Sequence, residues 1–113
     1  MPPVVSVAEV RTDRPARYGK QLVSHLGRKA GGQWSEETET GWITLGTGRA
    51  DVSCAPGLLL VRLTSPAEPD RLEGVVGGHL VRFGTKDELV VAWRRDDDTA
   101  GTTQRHEGTA EEG

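Results

Sequence analysis

The chain has 113 residues, a single cysteine and a formal net charge of −3. This length predicts one domain with a modest core. One cysteine excludes an internal disulfide framework and a zinc site built from several cysteines. No apolar run approaches the length of a membrane-spanning helix, and the N-terminus lacks the charged start of a signal peptide, so we expect a cytoplasmic protein.

The charge is unevenly distributed along the chain. Residues 96–113 hold six acids and one base, whereas residues 1–95 hold eleven acids and thirteen bases. The last segment also has no aliphatic side chain larger than alanine, so it cannot bury enough apolar surface to offset the entropy lost on ordering. The composition therefore predicts a single α+β domain over residues 1–95 and a disordered acidic tail over residues 96–113.

The first half of the chain begins with a β-rich run over residues 4–10. Residues 12–15 then supply polar capping groups and an early proline, which open a helix. One helical face follows at spacings of four, three and four, formed by Tyr18, Leu22, His25 and Leu26. Gly31-Gly32 ends this helix.

Four strands, a second helix and a last strand follow. The strands are predicted over residues 33–37, 41–45, 49–54 and 58–64, the helix opens with a capping box over 65–68, and the last strand covers 89–93. The second helix is predicted to bury Leu72, Val75, Val76, His79, Leu80 and Phe83. The element order is β-α-β-β-β-β-α-β. It predicts a six-stranded antiparallel sheet in the order 2-3-4-5-1-6 with both helices on one face, a two-layer α+β sandwich.

The two helical segments also resemble each other. Five identities recur 54 residues apart: Pro15, Arg17, His25, Leu26 and Arg28 match Pro69, Arg71, His79, Leu80 and Arg82. The same offset maps strand 1 onto strand 5 and strand 2 onto strand 6. The pattern favours a pseudo-duplicated fold related to ferredoxin-like and TBP-like domains.

The repeat makes two histidines and two arginines the candidate ligand-binding residues: His25, His79, Arg17 and Arg71. Helices in such a duplication run antiparallel, so their late turns are expected about 15–20 Å apart. That separation disfavours a shared metal ion within one chain, although a dimer could bring histidines together, and the sequence predicts neither a metal site nor a cofactor. The two histidines then either stabilise the fold separately, or one of them contacts a ligand.

Two further patterns concern packing. Gly74, Gly77 and Gly78 lower the stability of the second helix and indicate that another element approaches it closely, with the first helix as the candidate. Strands 5 and 6 are apolar on both faces, which predicts that something covers the second face of the sheet. A homodimer through the sheet face is the expected partner arrangement.

Residues 12–18, together with Gln21-Leu22 and Ser24-His25, resemble the bacterial domain-of-unknown-function 2218 family, as do residues 73–83 and 88–93. The likeness covers about residues 6–95. It implies a small bacterial protein of no established activity, and an accessory role in ferric-siderophore or iron metabolism beside a siderophore-interacting reductase. Related chains often carry a second histidine where this chain has Arg28 and Lys29, which weakens a metal-binding role.

These observations favour a non-enzymatic binding or interaction module, and no catalytic residue is assigned. One alternative is a small enzyme that uses His25 or His79 as an acid–base group. A nucleic-acid-binding module is a weaker alternative, because the chain is acidic overall and its basic first helix lacks interleaved aromatic residues.

Overall fold

A computed structural model of the chain describes residues 3–105 and shows a seven-stranded antiparallel sheet with two helices. The strands are β1 (Val4–Arg11), β2 (Gly32–Ser35), β3 (Thr40–Leu45), β4 (Gly48–Ala55), β5 (Leu58–Ser65), β6 (Val90–Arg95) and β7 (Thr103–Arg105). The helices are α1 (Pro15–Ala30) and α2 (Pro69–Phe83), and a 3₁₀ turn covers Thr85–Asp87. The strand order is β2-β3-β4-β5-β1-β6-β7. The predicted α+β sandwich and the order of its first six strands are confirmed.

The seventh strand corrects the prediction of a disordered tail. β7 pairs antiparallel with β6, with Val90 opposite Arg105. The Gln104 side-chain oxygen accepts a hydrogen bond of 2.7 Å from the indole N–H of Trp93. Composition missed this strand because hydrogen bonds to the domain, rather than large apolar side chains, hold it in place. The prediction is therefore wrong up to residue 105, and residues 106–113 lie outside the described part of the chain.

The core lies between one face of the sheet and the two helices. Alternate residues of the central strands point into it and are inaccessible to solvent: Ala8 and Val10 of β1, and Leu59 and Leu63 of β5. Helix α1 covers β2, β3 and β4, whereas α2 lies mainly over β6 and β7. The helices therefore cover different halves of a wide sheet.

Helix α2 differs from its predicted start and its predicted buried face. It begins at Pro69, after Glu68 in the left-handed conformation (φ 55°), so the predicted capping box does not form. Its buried residues are Glu73, Val76, Gly77, Leu80 and Val81. A methyl group at Gly77 would collide with the Gln104 side chain, so β7 rather than α1 makes the close approach there, whereas at Gly74 and Gly78 a methyl group would meet nothing within 4 Å among residues 3–105. His79 and Phe83 lie half-buried at the edge of this face.

The lengths of the helices also bear on membrane insertion. Over residues 3–105, neither helix is both long and apolar enough to cross a membrane.

Candidate functional site

The two histidines of the sequence repeat lie in contact. The ring centroids of His25 and His79 are 5.0 Å apart, and their planes are tilted by 47°. Phe83 packs against His25 in an edge-on arrangement, with centroids 5.5 Å apart. The predicted separation of 15–20 Å was wrong because it assumed that the helices overlap along their full lengths. They are offset instead and meet at their late turns.

A backbone carbonyl fixes the tautomer of the His79 ring. His79 Nδ1 lies 2.7 Å from the carbonyl oxygen of Val75. Because a carbonyl oxygen only accepts hydrogen bonds, Nδ1 must carry the proton, and in the neutral ring Nε2 keeps its lone pair. His79 is half-buried, whereas His25 is exposed.

The two repeated arginines have different surroundings. Arg17 lines a surface hollow of about 440 Å³ together with His25 and Arg28. Arg71 donates a hydrogen bond of 3.3 Å to Glu68, and both side chains are well exposed. An exposed pair of this kind contributes about 0–1 kcal/mol. Ligand binding by either arginine stays a prediction.

A larger concavity of about 620 Å³ lies on the sheet face opposite the helices. Cross-strand pairing aligns two adjacent rows of outward side chains across five strands. The first row is Gln33, Trp42, Asp51, Arg62 and Val7, and the second is Ser35, Thr40, Ser53, Leu60 and Glu9. We call these ten residues, with Arg49, the sheet groove.

The charged groups of the sheet groove lie on its β4, β5 and β1 strands. On β4 the Arg49 guanidinium lies 5.1 Å from the centre of the Trp42 ring and pairs with Asp51 at 3.0 Å. At the β1 end Glu9 lies 3.9 Å from Arg94. Arg62 lies between them and forms no ion pair with any residue in the range 3–105. The groove therefore offers a guanidinium with no ion pair among residues 3–105, beside the apolar side chains of Val7 and Leu60.

Sequence reasoning missed the sheet groove, although one signal was present. Arg62 interrupts the otherwise apolar run at residues 58–63. A charged residue in an apolar strand indicates an outward position, since burying it unpaired is costly. The strand register, which places Trp42 and Asp51 in the same row as Arg62, comes from the tertiary structure alone.

The remaining candidate nucleophile is the single cysteine. Cys54 is half-buried, and burial followed by the nearby Glu39 carboxylate raises the pKa of its thiol. A raised pKa leaves little thiolate near neutral pH. Cys54 therefore has the properties of a packing residue.

The family of this domain is shown by comparison with known proteins. A family model described as "Uncharacterized protein conserved in bacteria (DUF2218)" matches residues 7–94. The chain belongs to the DUF2218 family. The DUF2218 match includes both histidines and the whole sheet groove, whereas β7 follows it.

A solved structure has a similar fold. The NMR structure of PA4090 from Pseudomonas aeruginosa is 29% identical, with a TM-score of 0.63, and the alignment covers 87% of this chain and 98% of PA4090. Among curated proteins, none matches this chain.

Proposed function

We propose that this protein is a non-enzymatic binding module, and that its sheet groove binds a small organic anion with an apolar, planar body. The observation that carries the proposal is the position of Arg62, a guanidinium without an ion-pair partner among residues 3–105, in the lining of a concavity of about 620 Å³. Concavities of roughly 300–1,000 Å³ are typical of small-molecule sites.

The neighbours of Arg62 support the proposed ligand class. Leu60 and Val7 supply apolar surface beside it, and Trp42 supplies an aromatic wall. Asp51 accepts a hydrogen bond of 3.0 Å from Arg49, whose guanidinium lies over the Trp42 ring. A guanidinium binds a carboxylate through two parallel hydrogen bonds, which favours a carboxylate on the ligand.

Binding of aromatic carboxylates, each compared with its uncharged amide, tests this proposal. We expect the carboxylates to shift NMR signals of the sheet groove and the amides to bind more weakly. Arg62→Gln should weaken carboxylate binding about 10–100-fold, since a hydrogen bond to a charged group contributes about 1.5–3 kcal/mol. Arg11→Gln is the matched control, because Arg11 is an exposed arginine of the same sheet that does not line the groove. Equal effects of the two variants, or shifts confined to the helices, would contradict the proposal.

A second candidate is a homodimer through the same face. Val90 of β6 is 41% exposed and is the one large hydrophobic residue classed as exposed within the described range. The face carries both signs of charge, so a twofold-related copy would bring Arg62 of one chain towards Asp51 or Glu9 of the other. Sedimentation velocity tests this arrangement. We expect a dimer that Leu60→Glu dissociates, and a wild type that stays monomeric at the highest concentration measured would reject this arrangement.

The role in ferric-siderophore handling, the reductase partner and the cytoplasmic location stay predictions. Ferric siderophores that carry aromatic anionic groups belong to the ligand class proposed for the sheet groove. Adding them to the carboxylate panel tests the siderophore role directly, with Arg62→Gln as the deciding variant.

A further inference from the structure

We propose that His25 and His79 together bind one divalent transition-metal ion between α1 and α2, with Cu²⁺ held more tightly than Ni²⁺ or Zn²⁺. This site is on the opposite side of the sheet from the sheet groove and does not depend on the function proposed above. The order of affinity follows from imidazole ligation, for which Cu²⁺ forms the most stable complexes among these ions.

The separation of the two rings fits a shared ion. A metal–nitrogen bond of about 2.0–2.1 Å places the centroid of an imidazole about 3.2 Å from the metal. Two such rings on neighbouring coordination positions then have centroids about 5 Å apart. The observed distance between the centroids of His25 and His79 is 5.0 Å.

A backbone hydrogen bond orients the His79 imidazole for metal coordination. Metal-binding histidines usually donate their second ring N–H to a carbonyl or carboxylate, which fixes the tautomer and orients the ring. The Nδ1–H of His79 donates to the Val75 carbonyl at 2.7 Å, which leaves Nε2 as the ligating atom. Phe83 packs against both rings and restricts their rotation.

The two imidazoles would supply only part of the coordination shell. Over residues 3–105 no group of three or more His, Cys, Asp or Glu side chains could hold a metal ion. Water or small anions therefore complete the shell on the side of the exposed His25. That side adjoins the hollow lined by Arg17, Lys20 and Arg28, whose positive charges repel the metal ion but attract anions to its remaining coordination positions.

Titration of the untagged full chain with CuCl₂ by calorimetry tests the site. We expect one Cu²⁺ per chain, with NiCl₂ and ZnCl₂ weaker. Loss of either imidazole should weaken Cu²⁺ binding about a hundredfold, because the second imidazole binds at a high effective concentration. His25→Gln and His79→Gln remove the ligands one at a time, and His106→Gln removes the third histidine as the matched control.

Electron paramagnetic resonance of the Cu²⁺ complex supplies an independent readout. Two imidazole nitrogens should be resolved in the wild type and one in His25→Gln. Because His25 is exposed, His25→Gln should keep the fold, and it decides the question even if His79→Gln is less stable. The proposal is overturned if wild type does not bind Cu²⁺, if His25→Gln binds it as tightly as wild type, or if His106→Gln abolishes binding.

Discussion

Replacing Glu73 with glutamine is expected to lower the free energy of unfolding by about 3–5 kcal/mol, because it removes one partner of a buried ion pair. Glu73 is inaccessible to solvent, and the side chain of Arg95 is 7% exposed. Arg95 Nε donates to Glu73 Oε2 at 2.8 Å, and its Nη2 donates to Oε1 at 3.1 Å. Urea denaturation of wild type and variant measures the difference.

The other hydrogen bonds of Glu73 explain why its loss should be large. Ser6 Oγ donates at 2.5 Å, and Thr102 donates through its backbone N–H at 3.0 Å and through its hydroxyl at 2.8 Å. The carboxylate therefore links α2 to β1, to β6 and to the segment that leads into β7. Glu68→Gln is the matched control, because the exposed pair of Glu68 with Arg71 contributes about 0–1 kcal/mol. Similar losses in the two variants would contradict this interpretation.

The same carboxylate predicts the direction of the acid dependence. Burial would raise the pKa of Glu73, but the hydrogen bonds from Arg95, Ser6 and Thr102 outweigh it, so this pKa lies below its ordinary value of 4.5. A lowered folded-state pKa means that the stabilisation is fully present above pH 4.5 and is lost as the pH falls through the folded-state value. Unfolding measured from pH 7 downwards should show this loss in wild type and a smaller one in Glu73→Gln.

Arg95→Met tests whether Arg95 is what lowers the pKa of Glu73. Loss of the guanidinium removes the largest interaction that lowers this pKa, so the pKa should be higher than in wild type. The stability of this variant should therefore fall less with decreasing pH than that of wild type. Parallel pH profiles in the two proteins would show that Arg95 does not set the charge of Glu73.

Ending the chain after Ala100 is expected to lower the free energy of unfolding by roughly 3–5 kcal/mol, because it removes several buried hydrogen bonds at once. Glu73 loses both bonds from Thr102, and the indole of Trp93, which is only 4% exposed, loses Gln104. Removal of β7 also uncovers α2 at Gly77. Thermal and urea unfolding of the truncated chain measure the effect.

A chain that ends after Arg105 is the control for this truncation. It keeps every contact of β7 described above, so its unfolding free energy should stay within about 0.5 kcal/mol of wild type. Gly101→Ala is a second variant without a change of length, since its methyl group would collide with the backbone of Trp93. If the chain ending at Ala100 is as stable as wild type, β7 does not belong to the folded domain.

Local patterns predicted much of the architecture. Helical spacing at Tyr18 and Leu22, and β-rich runs separated by glycine turns, place the first six strands and both helices in the observed order. The predicted start of α2 was wrong, and its predicted buried face was correct at Val76 and Leu80 but omitted Glu73. An acidic residue was not expected on an apolar face, although Glu73 has helical spacing to Val76 and Leu80 and all three are fully buried. Its burial depends on Arg95, a partner 22 positions away.

The sequence by itself determined the α+β class, the strand order of the central sheet and the two histidine-bearing helices, because these depend on periodicity and short connections. Only the tertiary structure decided that His25 and His79 meet, that Arg62 lies in the sheet groove and that β7 completes the sheet. Each of these depends on helix offset, strand register or hydrogen bonds between distant residues. Such relations arise when separate elements pack together, and local sequence does not encode them.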